Sequence, residues 1–355
     1  MALIAACALL GALDRLLGNR FGLGKAFEEG FRMLGPIALS MAGITCFAPL
    51  LSAWLAPAIH GLCTALHLEP AMCGAVLAID MGGWDMATGL AVNEVYGRFA
   101  GTVAAATLGC TLSFTVPVSM GMLAEDGRRA FAHGVLWGLV TLPLALLLGA
   151  LLGGIGLGGA LWLCAPSAVL ALLVAQALAR FQRQTLRLFA GFAWLLRALG
   201  TAGLALGAVE QLTGWTILPG LKPLPEAMAT VSAIGVVLLG SLPLAELMQR
   251  ALKRPLSWIG RHLGLSSDSL TCMLLLYINV TPGLIALSRL RFGEQRVCAA
   301  FAVCAASALT AHFAFTVQAA QEWALPLLAA KAFGAVTAAA LALAAQRRSK
   351  TGSMR

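Results

Sequence analysis

Two carboxylates stand inside an apolar stretch of the chain, CGAVLAIDMGGWDMATGLAV, where Asp80 precedes the pair Gly82 and Gly83 and Asp85 directly follows Trp84. Placing an ionised carboxylate at a bilayer centre costs at least about 2.5–3.5 kcal/mol on insertion scales, so such a residue usually has a charged partner or a functional role. A small cation is one such partner. Glycines let the backbone approach a ligand closely, and a tryptophan offers a π face to a positive charge.

Neutral polar residues interrupt or follow the other apolar segments. In the second half, the stretch YINVTPG breaks an apolar run as the aspartate and glycines break the first one. One anionic tip and one neutral polar tip suit a small cation that carries a hydroxyl, with Asp80 as the ammonium counter-ion and the asparagine and threonine as hydroxyl contacts. The neutral candidates are Ser113, Asn279, Thr281, Thr310 and His312.

Each candidate also has a structural interpretation. Asp80 could cap a helix by accepting free backbone amides, and the neighbouring tryptophan could be ordinary packing. Asp85 could pair with Arg197 or Lys331, or be protonated. His312 could be a hydrogen-bonded core histidine, although it and Asp85 are the two candidates for proton or ion handling. Serine and threonine hydroxyls inside membrane spans often bond one helix to another.

The composition places these residues in a membrane protein. Of the 355 residues 60% are hydrophobic and 11% are charged, and the mean hydropathy is +0.88. These values predict an all-α polytopic fold in a lipid bilayer. The net charge of +9 comes from short basic clusters between apolar runs, which is typical of membrane topology and not of nucleic-acid binding. The nine cysteines mostly stand singly and form no CxxC pair, so we expect no disulfide framework or metal site. The sequence contains no catalytic motif such as HExxH and no Walker loop for ATP coupling, and we expect neither a cofactor nor enzyme activity.

Four weak self-similarities recur in the same order at a nearly constant offset, for example LGALDRLLG with LGAVEQLTG and CGAVLAID with CMLLLYIN. Such recurrence predicts two structurally repeated halves. The predicted units are a first membrane repeat at 1–155, a linking helix and basic loop at 156–189, a second repeat at 190–346 and a basic tail at 347–355.

The chain contains about 9–11 hydrophobic segments, of which two, 71–92 and 270–288, are interrupted at matching places. If these two are re-entrant hairpins, nearly all loop and tail Lys and Arg residues lie on one face, and only Arg98 and Lys222 lie on the other. Basic loops mark the cytoplasmic side. We therefore predict nine full spans and two hairpins in inverted repeats, with the N-terminus outside and the C-terminus inside. This arrangement indicates a secondary transporter with a midplane site.

Seven motifs, taken together, resemble a known family. They are KAFEEGFRMLG, LAIDMGGWDMA, GWTILPGLKP, SAIGVVLLGSLP, INVTPG, AAFAVCAASALTAH and KAFGAVTA, in order between Lys25 and Thr337. The chain thereby resembles EutH, the membrane protein of bacterial ethanolamine-utilisation operons. The resemblance implies passage of ethanolamine, a small amine substrate, across the inner membrane and a functional link to the ethanolamine ammonia-lyase pathway. The family's motif residues fall on Glu28, Glu29, Asp80, Gly82, Gly83 and His312.

Three positions depart from the family pattern. Val280 stands where the family usually has a second asparagine, Ala311 stands where it has an aspartate, and Asp85 is additional. Either an acidic group has moved across the site, or this member carries a related amine or is inactive. A channel for a neutral amine or ammonia and a membrane scaffold of the pathway are the alternative functions. The coupling ion and a homo-oligomeric state are left open.

Overall fold

The computed structural model describes residues 2–77, 83–116, 118–119, 123 and 125–352, apart from some side chains within helices. Asp80 and Gly82 lie outside the described residues. The described elements are helices throughout, in agreement with the predicted all-α class.

The first half is built from short helices and one long one. In chain order they are α1 (Ala2–Leu16), α2 (Leu23–Arg32), α3 (Leu34–Ile37), a π-helical turn (Ala38–Ala42), α4 (Gly43–Leu66), α5 (Pro70–Leu77), α6 (Gly83–Leu90), α7 (Glu94–Phe99), two further π-helical segments (Ala100–Gly109 and Thr111–Thr115) and α8 (Glu125–Leu152).

The second half of the chain is also helical. The remaining elements are α9 (Leu157–Arg180), α10 (Gln182–Thr213), α11 (Leu224–Leu263), α12 (Ser267–Ile278), α13 (Val280–Ser288), α14 (Phe292–Ala305), α15 (Ala311–Ala319), a 3₁₀ turn (Gln321–Trp323) and α16 (Ala324–Gly352).

Several helices can cross a bilayer. Within the described residues, five helical segments are long and apolar enough: Glu125–Leu152, Leu157–Arg180, Gln182–Thr213, Leu224–Leu252 and Gln321–Arg348. Helix α4 is bent by 57° between Gly43–Leu51 and Ala53–Leu66. If these two parts count as one span, the number of candidate spans rises to six. Pro57 explains the bend, because proline has no N–H for the carbonyl four residues earlier and its ring clashes with it.

The described span count is lower than the predicted nine because other apolar runs are divided into shorter elements. Between residues 100 and 115 the apolar chain is π-helical apart from Cys110, and the apolar stretch at 297–318 is divided between α14 and α15. The run at 270–288 forms two helices that meet at Asn279. Apolar composition alone reports where the chain can enter lipid, and it does not report where the helix is interrupted inside it.

The two interrupted segments form pairs of short helices that pack against each other, α5 with α6 and α12 with α13. Glycines allow the close approach. A β-carbon at Gly74 would lie 2.7 Å from the α-carbon of Ala87, and one at Gly283 would lie 2.7 Å from the α-carbon of Leu276. Both distances are shorter than real β-carbon contacts, so these pairs pack only with glycine at the crossing.

The element bounds recur along the chain. Helix α8 begins at Glu125, and α16 begins 199 residues later at Ala324. Each follows a packed pair of short helices, α5 with α6 or α12 with α13, after further helical segments. The main hydrophobic core lies where α8, α14 and α16 meet the π-helical segments, and includes Phe99, Phe131 and Leu327.

The outer surface suits contact with lipid. On α9, Leu161, Leu172 and Leu173 are each more than half exposed. Rows of exposed leucines on long helices are typical of a protein surrounded by hydrocarbon and would be unfavourable in water. The chain is a multi-pass membrane protein.

Candidate functional site

The first group of candidate residues lies where α12 ends and α13 begins. Asn279 adopts an extended backbone (φ −147°, ψ 129°) and caps α13, its side-chain oxygen accepting the amide of Thr281 at 3.1 Å. Its side-chain amide donates to the sulfur of Met33 at 3.7 Å. Thr281 is exposed. The predicted polar interruption at Asn279 is therefore a real break between helices.

A second break, between α14 and α15, packs onto the first. The Ser307 and Leu309 amides donate to the carbonyls of Leu276 and Tyr277, each at 3.1 Å. The Thr310 hydroxyl donates to the Ile278 carbonyl at 2.7 Å. These bonds satisfy carbonyls that the end of α12 leaves without helical partners.

Ser307 completes this contact from the other direction. Its hydroxyl accepts the Val280 amide at 3.1 Å, at the start of α13. Ser307 has a left-handed backbone (φ 52°), a conformation that non-glycine residues adopt at a cost. We call residues 276–281 and 304–312 together the junction.

His312 and Lys331 bond to the carbonyls at the end of α14. The His312 Nδ1–H donates to the Ala306 carbonyl at 2.9 Å, and the histidine is 1% exposed. The Lys331 ammonium donates to the carbonyls of Ala306 and Cys304 at 3.0 and 3.3 Å and is fully buried. A positive charge at a helix C-terminus is favourable, because the unpaired carbonyls there carry partial negative charge.

A cavity lies farther along α15, beside α6. Its volume is about 160 Å³, below the range of about 300–1,000 Å³ for drug-sized ligands. It therefore suits a molecule of few heavy atoms. We call it the Trp84 cavity, and its lining residues are Met41, Trp84, Asp85, Lys222, Thr230, Phe315, Gln318 and Ala319.

An ion pair borders the Trp84 cavity. The Lys222 ammonium lies 3.6 Å from the Asp85 carboxylate, and the two side chains are 29% and 27% exposed. We predicted that Asp85 could pair with Arg197 or Lys331, and this prediction was wrong, because its partner is Lys222. That prediction considered only basic residues inside spans, whereas Lys222 reaches Asp85 from the loop that joins α10 to α11.

Trp84 lies between this cavity and a wider one. Its ring meets that of Phe315 edge to face, with centroids 6.3 Å apart and planes at 74°. The wider cavity, about 470 Å³, is bordered by Trp84, Gln318 and a surface ion network. In that network Arg98 bonds both Glu94 and Glu322. Hydrogen bonds to Glu322 and Glu94 raise the pKa of the Arg98 guanidinium, so it stays charged.

The predicted site residues thus fall into groups. Asn279, Thr310 and His312 meet at the junction, while Trp84 and Asp85 border the cavity. Helix α15 links the groups, since Phe315 and Gln318 follow His312 by about one and two turns, roughly 4.5 and 9 Å along the helix.

The remaining described candidates stand apart from these contacts. Gly83 is the buried first residue of α6, and the Ser113 hydroxyl donates to the carbonyl of Gly109, the last residue of the preceding π-helical segment, at 2.8 Å. Sequence reasoning missed the cavity roles of Lys222, Thr230, Phe315 and Gln318. Only Lys222 gave a usable signal, as one of two basic loop residues predicted on the outer face.

Comparison with known families decides the classification. The family model described as "Ethanolamine utilisation protein, EutH" matches residues 1–345. The chain belongs to the EutH family. The resemblance seen in the sequence motifs is confirmed over nearly the whole chain.

Relatives of the family agree with this assignment. A protein of Listeria monocytogenes named "Probable ethanolamine permease EutH" is 34% identical, over 94% of this chain and 90% of the relative. An Escherichia coli protein of the same name is 32% identical, over 94% and 92%. The uncharacterised protein YxeR of Bacillus subtilis is 33% identical, over 96% and 92%. No solved structure matches the chain.

Proposed function

We propose that this EutH-family protein transports ethanolamine, with the Trp84 cavity as its substrate site. One observation carries the proposal: a small cavity combines a carboxylate, an aromatic ring and neutral polar groups. The names of the Listeria and Escherichia relatives support ethanolamine as the substrate. A permease also agrees with the absence of catalytic motifs from the sequence.

The cavity fits the two ends of ethanolamine. Its ammonium group would pair with Asp85 and lie near the Trp84 ring, since carboxylates and indole faces both attract cations. Its hydroxyl would bond to Thr230 or Gln318, which line the same space. Asp80, the counter-ion proposed from the sequence, is an alternative carboxylate for the same ammonium group.

The carrier mechanism is also a proposal. The packed pairs α5/α6 and α12/α13, and the recurrence of α8 as α16, support repeated halves with two re-entrant hairpins. Inverted repeats of this kind allow alternating access around a fixed midplane site. The loop carrying Lys222 would then face the outside of the inner membrane, and the basic C-terminal tail the cytoplasm.

Proton handling, if transport is coupled to it, fits Asp85 better than His312. Asp85 borders the cavity, whereas the Nδ1–H of His312 is engaged by the Ala306 carbonyl. A group that exchanges protons during transport needs access to water or substrate.

Uptake of labelled ethanolamine into proteoliposomes tests the function. We expect saturable uptake by the wild type and at least a tenfold loss in Asp85→Asn, since about 1.4 kcal/mol of lost binding is tenfold. Asp126→Asn makes the same chemical change at an exposed helix end and controls for it. Asp80→Asn, measured in parallel, shows which of the two carboxylates binds the ammonium group.

The outcomes separate the competing functions. Flux that does not saturate, and that Asp85→Asn and Asp80→Asn leave unchanged, would indicate a channel for the neutral amine. A purified, folded wild type that moves no ethanolamine under any gradient would refute the proposed transport and favour the scaffold. Choline and a neutral alcohol, added as competitors, test whether the site needs both the charge and the hydroxyl.

A further inference from the structure

The motif GWTILPGLKP contributes Lys222 to the lining of the Trp84 cavity, and the proposed function gives this residue no role. This motif, residues 214–223, forms the loop between α10 and α11. Near its end, the Lys222 amide donates to the Cys46 carbonyl at 2.9 Å, and the next residue, Pro223, is the N-cap of α11. The backbone of Lys222 is thus held on both sides, and its side chain extends to Asp85.

Lys222 presents the same chemical group as the proposed substrate. Both carry an alkyl ammonium with N–H donors and one positive charge. The Lys222 ammonium already lies 3.6 Å from Asp85, on the border of the cavity. A substrate ammonium bound to the same carboxylate would meet a like charge at close range, which disfavours simultaneous occupancy.

We propose that Lys222 is a tethered competitor, whose ammonium occupies Asp85 in the empty protein and is displaced by the ammonium of the substrate. This inference rests on the proposed function, because it takes Asp85 as the substrate carboxylate. It adds a specificity-determining residue and a reason why the empty site is stable.

The reason is electrostatic. A carrier that has released its substrate must return with the site empty, and an unpaired carboxylate within the membrane is costly. Lys222 neutralises Asp85 during that return. Exchange of external for internal substrate needs no empty return, so it does not need Lys222.

Two measurable consequences follow for Lys222→Gln. Substrate binding strengthens because its competitor is gone, and net uptake slows because the empty site carries an unpaired charge. Coupled binding events typically change affinity about 5–150-fold. We expect about fivefold tighter binding, at the lower end of that range, because the pair is more than a quarter exposed and water screens it.

The experiment compares net uptake with counterflow. Purified wild type, Lys222→Gln and Lys222→Arg are reconstituted in liposomes that are either empty or preloaded with unlabelled ethanolamine. Ethanolamine binding to each protein in detergent is measured by calorimetry. Lys25→Gln makes the same substitution at an exposed lysine of α2 and serves as the control.

The inference predicts that Lys222→Gln keeps counterflow, loses net uptake about fivefold or more and binds ethanolamine more tightly, whereas Lys222→Arg and Lys25→Gln behave as wild type. Unchanged binding and an unchanged ratio of counterflow to net uptake in Lys222→Gln would overturn it while leaving transport intact. Equal loss of both fluxes with weaker binding would also overturn it and would make Lys222 a structural support of the site. A wild type without any uptake would refute the proposed function itself.

Discussion

Replacing Thr310 by valine separates the two roles that the sequence left open for this residue. Thr310 is fully buried, and its hydroxyl donates to the Ile278 carbonyl at 2.7 Å across the junction. Valine has nearly the same shape without the donor, so the substitution removes the bond and leaves a buried carbonyl unpaired. Such a loss costs about 1–3 kcal/mol.

Thermal unfolding in detergent measures the effect. At about 2 °C per kcal/mol, the low end of the range for larger domains, the expected fall in Tm is about 2–6 °C. Thr310→Ser keeps the hydroxyl and should lose much less. Thr316→Val is a matched control within α15, the helix that Thr310 precedes, because the buried Thr316 hydroxyl has no hydrogen-bond partner among the described residues. We expect Thr316→Val to be neutral or slightly stabilising, since it removes an unsatisfied polar group.

Transport assays on the same proteins complete the test. If Thr310 acts only within the junction, the KM for ethanolamine in Thr310→Val stays close to that of the wild type while Tm falls. A variant with an unchanged Tm and a KM raised several-fold would refute this reasoning and assign the hydroxyl to the substrate.

Three further substitutions probe other parts of the structure. Gly283→Val places a side chain against the backbone of Leu276, 2.7 Å away at its first atom, so we expect little folded protein, measured as the monodisperse fraction after size exclusion; normal yield would argue against the close packing of α12 on α13. Lys331→Met removes the Lys331 donor from the Cys304 carbonyl and leaves the Ala306 carbonyl with His312, so it should lower stability by about 1–3 kcal/mol, seen as a lower Tm; an equal or higher Tm would show that the lysine is not needed there. Arg98→Gln breaks two exposed ion pairs, and exposed pairs contribute little because water and salt screen them, so Tm should change little, and a large fall would contradict surface screening of this network.

The sequence predicted the break in the second interrupted segment because local chemistry marks it. Asparagine is a preferred N-cap, and a proline within the next three residues is tolerated only in the first turn of a helix. The structure agrees, as α13 begins directly after Asn279. The membrane class was predicted from a different signal, the apolar composition of the whole chain.

The break between α14 and α15 could not be predicted locally. Its residues, Ala306 to Thr310, include neither glycine nor proline and are compatible with a continuous helix. Tertiary contacts interrupt the helix, because the free carbonyls at the end of α12 bond to amides of this segment. The pairing of Asp85 with Lys222 was missed for a similar reason, because it joins residues far apart in sequence.

The junction has a mechanical consequence for any motion of this protein. Four hydrogen bonds join residues 276–280 to residues 307–310, and each of them crosses from one helix break to the other. A force that displaces α13 is therefore transmitted directly to α15, on which Phe315 and Gln318 border the cavity. The two breaks should therefore open as one cooperative unit, and hydrogen exchange should show their amides exchanging at a single rate.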